Sequence, residues 1–429
     1  MNLRYVFFFW LPLYASWLLM LSEGPLLSAL VNRLPDEVTM LAAFGIALAL
    51  AVTIESPVIN LLSTSTALVR DRQSYAQMRR FVLHWMVFLT AVAVAAAFTP
   101  LFDLLVIKAL RTPPEIAEWV RVGLQILTPW TAAIAWRRFL QGILIRHGYT
   151  KVMARGTAIR LVFTLGTGIG LALSERVPGV TVAATALLVG VTVEAIYAHW
   201  AARPILRDLP ERLDASRPPL TYRALAMFHL PLAGTSILAL AAQPVITWAL
   251  ARLAFPEFNL AAWPLVFQTS LALRAPALAL PEVVIALADR DGALAVLRRF
   301  VAILAVVFSV VMALFVLTPA VDLYLIDLQD AAPEVAERAR VGLLLFLPLP
   351  ALGLWISWMR GLLIHRHQTR VVNEAMAVLL VVLTFALVFA VRLDGPGMLS
   401  AAVCFQGSVF IQGVYLALRG FRVKDRRLS

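Results

Sequence analysis

Apolar residues run along this chain in blocks of about twenty to thirty positions, separated by short clusters of Arg, Asp, Pro and Gly. A hydrocarbon core about 30 Å thick takes roughly 20 residues of helix to cross, so each block predicts one membrane-spanning helix. Strands of a membrane barrel would be about half as long and would alternate in polarity. The pattern predicts spans near 5–30, 38–68, 81–107, 116–145, 153–174, 179–202, 223–251, 258–287, 300–326, 335–364, 371–392 and 398–418. The expected fold class is therefore an all-α membrane protein of about twelve transmembrane helices.

Composition agrees, since 61% of the 429 residues are hydrophobic and only 14% are charged, which places the chain in lipid and not in water. The first block, Val6 to Leu21, is followed by Glu23, Pro25 and more apolar sequence without a small-residue cleavage site, so it reads as a retained span. Cys404 is the only cysteine and the six histidines are scattered apart from His365 and His367, which leaves no disulfide, redox pair or zinc pattern. No nucleotide-binding P-loop is present, and no cofactor is expected.

The net charge of +12 is distributed unevenly. One set of alternate loops holds Arg70, Arg72, Arg79 and Arg80, then Arg146, Lys151 and Arg155, then Arg203, Arg207, Arg212, Arg217 and Arg223. The same set continues with Arg290, Arg298, Arg299, Arg366 and Arg370, and ends with Arg419, Arg422, Lys424, Arg426 and Arg427. The other set is poor in cations and contains the acidic stretch Asp327 to Glu337. By the positive-inside rule both termini are cytoplasmic, which an even number of spans satisfies. The arginines mark span ends and do not form a stripe with interleaved aromatics, so nucleic acid is not an expected partner. The membrane expected is the plasma, or inner, membrane.

Residues 11–172 can be laid on the second half with a constant shift of 219 and no gap. Pro12 falls on Pro231, Pro25 on Pro244, Arg33 on Arg252, Pro57 on Pro276, and Arg79-Arg80-Phe81-Val82 on Arg298-Arg299-Phe300-Val301. Asp103 falls on Asp322, Arg121 on Arg340, Trp136 on Trp355, Gly142 on Gly361 and Thr150 on Thr369. Six spans per half make a parallel repeat, with a cleft expected between two pseudo-symmetric six-helix bundles. The predicted organisation is an N-lobe over 1–203, a cytoplasmic linker over 204–221, a C-lobe over 222–420 and a basic tail over 421–429.

Two six-span halves with long second and eighth spans resemble the multidrug and toxic compound extrusion (MATE) fold of the MOP exporter-flippase superfamily. More closely, the chain resembles the progressive ankylosis (ANK) family of that superfamily. The residues that carry this are Ala29-Leu30-Val31-Asn32-Arg33 with Met40-Leu41-Ala42-Ala43-Phe44-Gly45, Ala135-Trp136 with Gly142-Ile143-Leu144-Ile145-Arg146-His147-Gly148-Tyr149, Pro276 with Glu282, and Phe346-Leu347-Pro348-Leu349-Pro350. The resemblance implies export of organic anions such as citrate, pyrophosphate or nucleotides. Val284 stands where that family carries an arginine two positions after the acidic residue.

Ionisable residues at membrane depth cost about 2.5 to 3.5 kcal/mol on insertion scales and usually face a cavity or a partner. Glu55 lies well inside the second span, and the repeat puts Arg274 at its equivalent position. Arg274 would bind an anionic group, with Glu55 holding the arginine or taking a proton; a salt bridge that only locks the halves is the alternative. Glu282 would be a coupling-ion or gate residue, or else the hydrated end of its span. Asn60, Gln268 and Thr269 would hydrogen-bond a carboxylate or phosphate, or glue helices together. Arg138 and Arg360 suit bidentate anion binding and are preferred over Arg137 for the cleft, with snorkelling to the interface as the alternative. Arg160 and Glu194 are expected to pair, in a coupling or gating role. Pro25, Pro57, Pro244 and Pro276 each remove a backbone donor and would bend or simply pack their helices.

The leading expectation is a transporter, not an enzyme, that exports small organic anions by alternating access. Its partners would be the anionic solute, membrane lipid and a coupling ion, H+ or Na+. A flippase for an anionic lipid-linked substrate and a MATE-type drug extruder are the alternatives; mid-span arginines argue mildly against cationic drugs.

Overall fold

The computed structural model describes residues 1–110, 112–174, 176–211, 219–329 and 331–422, with side chains to residue 419. Every element among them is helical. The first half contains α1 (Leu3–Val31), α2 (Glu37–Ile59), α3 (Leu61–Leu68), α4 (Arg72–Phe98), α5 (Pro114–Ile126), α6 (Trp130–Arg146), α7 (Thr150–Ala172) and α8 (Gly179–Asp208). The second contains α9 (Tyr222–Leu250), α10 (Pro256–Leu273), α11 (Ala275–Leu278), α12 (Leu280–Leu287), α13 (Ala293–Leu317) and α14 (Ala320–Asp322). It ends with α15 (Pro333–Leu345), α16 (Leu349–His365), α17 (Thr369–Arg392) and α18 (Gly397–Arg422). A π-helical turn follows α4 at Asp103–Ala109 and α14 at Leu323–Leu328.

Eight of these segments, α2 and α3 taken together, are long and apolar enough to cross a membrane; the bent pairs α10 with α11–α12 and α15 with α16 make ten. Charged side chains inside α5–α6 and α7, among them Arg137, Arg138 and Arg160, dilute the apolar signal where the other two spans are predicted. The helices do not stop at the membrane boundary predicted for them. Asp71 accepts from the Ser74 backbone while the Ser74 hydroxyl serves the Asp71 N–H, a capping box that starts α4 at Arg72. Arg72, Arg79 and Arg80 therefore lie on a helix and not in a loop. Likewise α8 runs through Pro204 to Asp208, so the first five residues of the expected linker are helical. Its residues 212–218, and the basic tail from 423, lie outside the described residues.

The second and eighth spans are broken where the apolar run is continuous. Asn60 interrupts α2 and α3 three residues after Pro57, whose ring clashes with the preceding turn. The equivalent Ala279 separates α11 from α12, and a further break at Arg274 bends the eighth span by 58°. By contrast α1 runs unbroken through Pro12 and Pro25.

The repeat reaches local geometry. Asp36 and Phe255, 219 apart, both adopt left-handed backbone (φ 55° and 56°), as do Gly148 and His367. Arg121 pairs with Asp103 at 2.6 Å, and their equivalents Arg340 and Asp322 pair at 3.2 Å. α17 is one residue longer than α7 and its connection to the next helix is two residues shorter, so the shift falls to 218 and Pro178 matches Pro396. Glu194 then matches Gln412, whose amide touches Met376 Sδ at 3.5 Å where Glu194 meets Thr157.

Compact units do not divide at the linker. One unit comprises Leu11–Ala233, and the other Met1–Trp10 with the chain from Gly234 onward. The first turns of α1 and of α9 are thus packed with the opposite half of the sequence.

Candidate functional site

In the Leu11–Ala233 unit, Glu194 on α8 has no solvent exposure. Arg137 Nη1 donates to its Oε2 at 2.5 Å, while Gln141 Nε2 and Thr157 Oγ1 each donate to its Oε1 at 3.0 Å. Arg137 and Gln141 are four residues apart and share one face of α6. Thr157, Arg160 and Thr164 follow the same rule on α7. Arg160 grips Glu23 of α1 in a fork, with Nε to Oε1 at 3.0 Å and Nη2 to Oε2, and the Thr164 hydroxyl donates to Oε1 at 2.8 Å. The helices come this close because residue 190 is glycine: a Cβ there would meet Thr164 Oγ1 and lie 3.0 Å from the Arg160 carbonyl. Glu55, buried on α2, lies within electrostatic reach of Arg137, Arg138 and Arg160. The Arg138 guanidinium also sits 5.4 Å from the Trp17 ring centroid.

Three carboxylates, Glu23, Glu55 and Glu194, thus face three guanidinium groups, Arg137, Arg138 and Arg160. Buried charge is tolerated when it is paired and hydrogen-bonded, and this half achieves an even balance. The predicted Arg160–Glu194 contact exists at 3.7 Å, but Glu23 is the bidentate partner. Asn60, predicted to bind solute, donates through Nδ2 to the Leu232 carbonyl at 2.8 Å.

In the other unit the balance is uneven. Arg274 caps α10 at the 58° bend, and its Nε lies 3.3 Å from where a Cβ on Gly353 would stand. Arg360 is seven residues after Gly353 and therefore on the same face of α16. The two guanidinium groups act on each other electrostatically, and Arg360 in turn feels the carboxylate of buried Glu282 on α12. Neither Arg274 Nε nor Arg360 Nε has a hydrogen-bond partner. Gln268 is exposed on α10 and does not join this group, while Thr269 donates to Tyr324 Oη at 3.3 Å. Among the described residues no three His, Cys, Asp or Glu side chains are grouped to hold a metal ion.

Sequence reasoning missed Glu23, Gln141, Thr157 and Thr164, and set Arg137 aside. A signal was present in the repeat. Glu23, Arg137, Thr157, Arg160 and Thr164 correspond to Ala242, Ile356, Met376, Leu379 and Leu383, so the polar side chains that break the symmetry are the ones that form the network.

No family model and no curated protein sequence matches the chain. Solved structures do. A MOP superfamily transporter from Pyrococcus furiosus, described as having a binding pocket of reverse polarity that suggests a different function, is 15% identical over 98% of this chain and 95% of its own, with a TM-score of 0.75. A multidrug resistance MATE family transporter in an outward-facing conformation is 14% identical over 98% of this chain and 95% of its own, at 0.78. The Vibrio cholerae MATE transporter VcmN in its bent form is 17% identical over 99% and 98%, at 0.74. The chain therefore has the fold of the MATE transporters of the MOP superfamily.

Proposed function

We propose that the chain is an alternating-access membrane transporter that exports small organic anions of the citrate, pyrophosphate or nucleotide type, with both termini in the cytoplasm. The observation that carries this reading is the uneven charge of the second half: two guanidinium groups, Arg274 and Arg360, converge at a helix break with one carboxylate, Glu282, in reach. Like charges held together in a low-dielectric setting repel, and an anion with two or more oxygens would relieve the repulsion while filling the vacant Nε donors. In the first half Glu23, Glu55 and Glu194 supply carboxylates that would take part in ion coupling, each beside a guanidinium. The motif resemblance to the progressive ankylosis family supports the same solute class, and the Pyrococcus furiosus neighbour is described as a case of reversed pocket polarity within this fold.

The test is uptake of labelled citrate, pyrophosphate and ATP into proteoliposomes. A charge-assisted hydrogen bond contributes about 1.5–3 kcal/mol, so Arg274→Ala and Arg360→Ala should each lower anion transport by roughly 10-fold to 100-fold, while Arg79→Ala should not. Parent-like transport by both variants would overturn the reading. So would transport of cationic dyes with no competition from anions, which belongs to the drug-extruder alternative.

A further inference from the structure

The turn before α10 and its repeat equivalent before α2 share one backbone shape, with a left-handed residue at Phe255 and at Asp36. Aspartate tolerates that conformation because its short polar side chain can bond locally, whereas a bulky aromatic resists it. Phenylalanine therefore stands here against backbone preference, and its ring is 63% exposed. What the ring touches is the guanidinium of Arg338 on α15, 4.9 Å from the ring centroid, and the centroid of Phe258 is 5.1 Å from the same guanidinium. In the first half these three positions hold Asp36, Thr39 and Trp119, so the turn is repeated and the aromatic clamp is not.

Buried contacts hold the turn in place. The Asn259 amide donates to the carbonyls of Ala254 at 2.6 Å and Phe255 at 2.9 Å. The first residue of α18 is packed against it, since a Cβ on Gly397 would strike Asn259 Nδ2 and lie 2.7 Å from the Ala254 carbonyl. Beside the clamp is a cavity of about 260 Å³, lined by Phe255, Glu337, Arg338, Val341 and Leu399 among others. Phe255, Val341 and Leu399 are exposed apolar side chains, so the cavity joins an apolar surface to a pair of opposite charges.

Arg338 brings unused donors to this place. A cation held over aromatic rings keeps its N–H groups free, and among the described residues no carboxylate pairs with Arg338. Arg340, two residues on, does pair, with Asp322 at 3.2 Å. The cavity is built from the first residues of α18, the third turn before and the start of α10, and the first two turns of α15. Such helix ends are where acyl chains give way to lipid headgroups.

We propose that this cavity binds the headgroup of a zwitterionic phospholipid, with the phosphate on Arg338 and the ammonium of an ethanolamine on Glu337. The planar fork of an arginine matches two phosphate oxygens, and the carboxylate accepts from a primary ammonium. The glycerol and first methylenes then lie along Phe255, Val341 and Leu399. The volume suits a headgroup, being below the range of about 300–1,000 Å³ usual for pockets that enclose a whole ligand. A choline headgroup has no N–H to give and a glycerol headgroup has no cation, so the charge pair selects ethanolamine. In the orientation proposed above this is the outer leaflet; the binding itself needs only the membrane fold and not the transport reading.

The experiment is native mass spectrometry of the full chain in detergent, offered equal amounts of phosphatidylethanolamine, phosphatidylcholine and phosphatidylglycerol. The parent should retain the ethanolamine lipid about threefold to tenfold over the other two, the worth of one hydrogen bond. Arg338→Gln should lower that retention roughly 10-fold or more, and Glu337→Gln should hold the ethanolamine and choline lipids equally. Phe255→Gly fits the left-handed backbone but opens the clamp, so it should keep or raise the thermal midpoint while weakening retention at least about twofold. A lower midpoint with unchanged retention would mean that the ring only packs the turn, and would overturn the proposal. Equal retention of the three lipids by the parent, or parent-like retention by Arg338→Gln, would do the same. So would binding of inorganic phosphate that is lost in Arg338→Gln while no lipid is retained, which assigns the site to a free anion.

Discussion

A carboxylate without solvent contact has to be neutralised where it stands, and Glu194 meets this requirement with Arg137, Gln141, Thr157 and Arg160 all directed at its two oxygens. Replacing it by glutamine takes from buried Arg137 the carboxylate it donates to. Loss of one member of such a pair costs about 3–5 kcal/mol, so Glu194→Gln should lower the thermal midpoint of detergent-purified protein sharply. The symmetric pairs Arg121–Asp103 and Arg340–Asp322 are each more than a third exposed, and pairs of that kind contribute about 0–1 kcal/mol. Asp103→Asn or Asp322→Asn should leave the midpoint nearly unchanged, and equal losses for Glu194→Gln and Asp103→Asn would contradict the assignment. Single residues were the least legible level in the sequence. Arg160 and Glu194 stand out because charge is rare in a span, but Glu23 lies in the last third of α1, just before Gly24 and Pro25, and its partner is 137 residues away. Nothing in local spacing announces such a pair; only the mismatch between halves does.

At the level of helices the sequence was far more informative, because lipid imposes a length and an apolar pattern that can be read directly. Every expected span has a helical counterpart, with α1, α7 and α17 ending within three residues of their predicted limits. The breaks at Asn60, Arg274 and Ala279 were not visible, since a carbonyl left open inside a span is served by residues distant in sequence and leaves no polar run. Contact with α3 and α12, the segments that come after the breaks at Asn60 and Ala279, explains why the shared Gly142 and Gly361 positions must lack a side chain. A Cβ on Gly142 would strike Ser65 Oγ and stand 2.5 Å from the Leu62 carbonyl, and one on Gly361 would be 2.7 Å from Val284 Cβ and 3.1 Å from the Pro281 carbonyl. Since the obstacle includes backbone of α3, Gly142→Ala should destabilise by about 1–3 kcal/mol, the usual cost of overpacking. Adding Ser65→Gly should restore only part of this, because the Leu62 carbonyl stays in place. Full recovery in the double variant, measured by thermal unfolding, would show that Ser65 alone makes the contact.

For the molecule as a whole, sequence and structure divide the chain differently. The repeat places the boundary in the Arg- and Pro-rich segment after α8, because symmetry is read from which residues match. Packing places Met1–Trp10 with the second half of the chain and Tyr222–Ala233 with the first, because cohesion is decided by which side chains bury each other. Trp10 makes the difference testable. It is 2% exposed, donates to the Pro276 carbonyl, and sits 5.7 Å from the Phe300 ring centroid, all within the unit that begins again at Gly234. Trp10→Ala removes a large aromatic and leaves an open carbonyl at the α11 break, for which about 3–5 kcal/mol is expected. The damage should appear where the contacts are and not where the sequence is near. In hydrogen-exchange mass spectrometry of the full chain, peptides from α10 to the start of α13 should gain exchange, while those from α2 to α4 should keep their protection. The reverse pattern, with protection lost in 37–98 and kept in 256–301, would mean that the first turns of α1 belong with the half in which they are encoded.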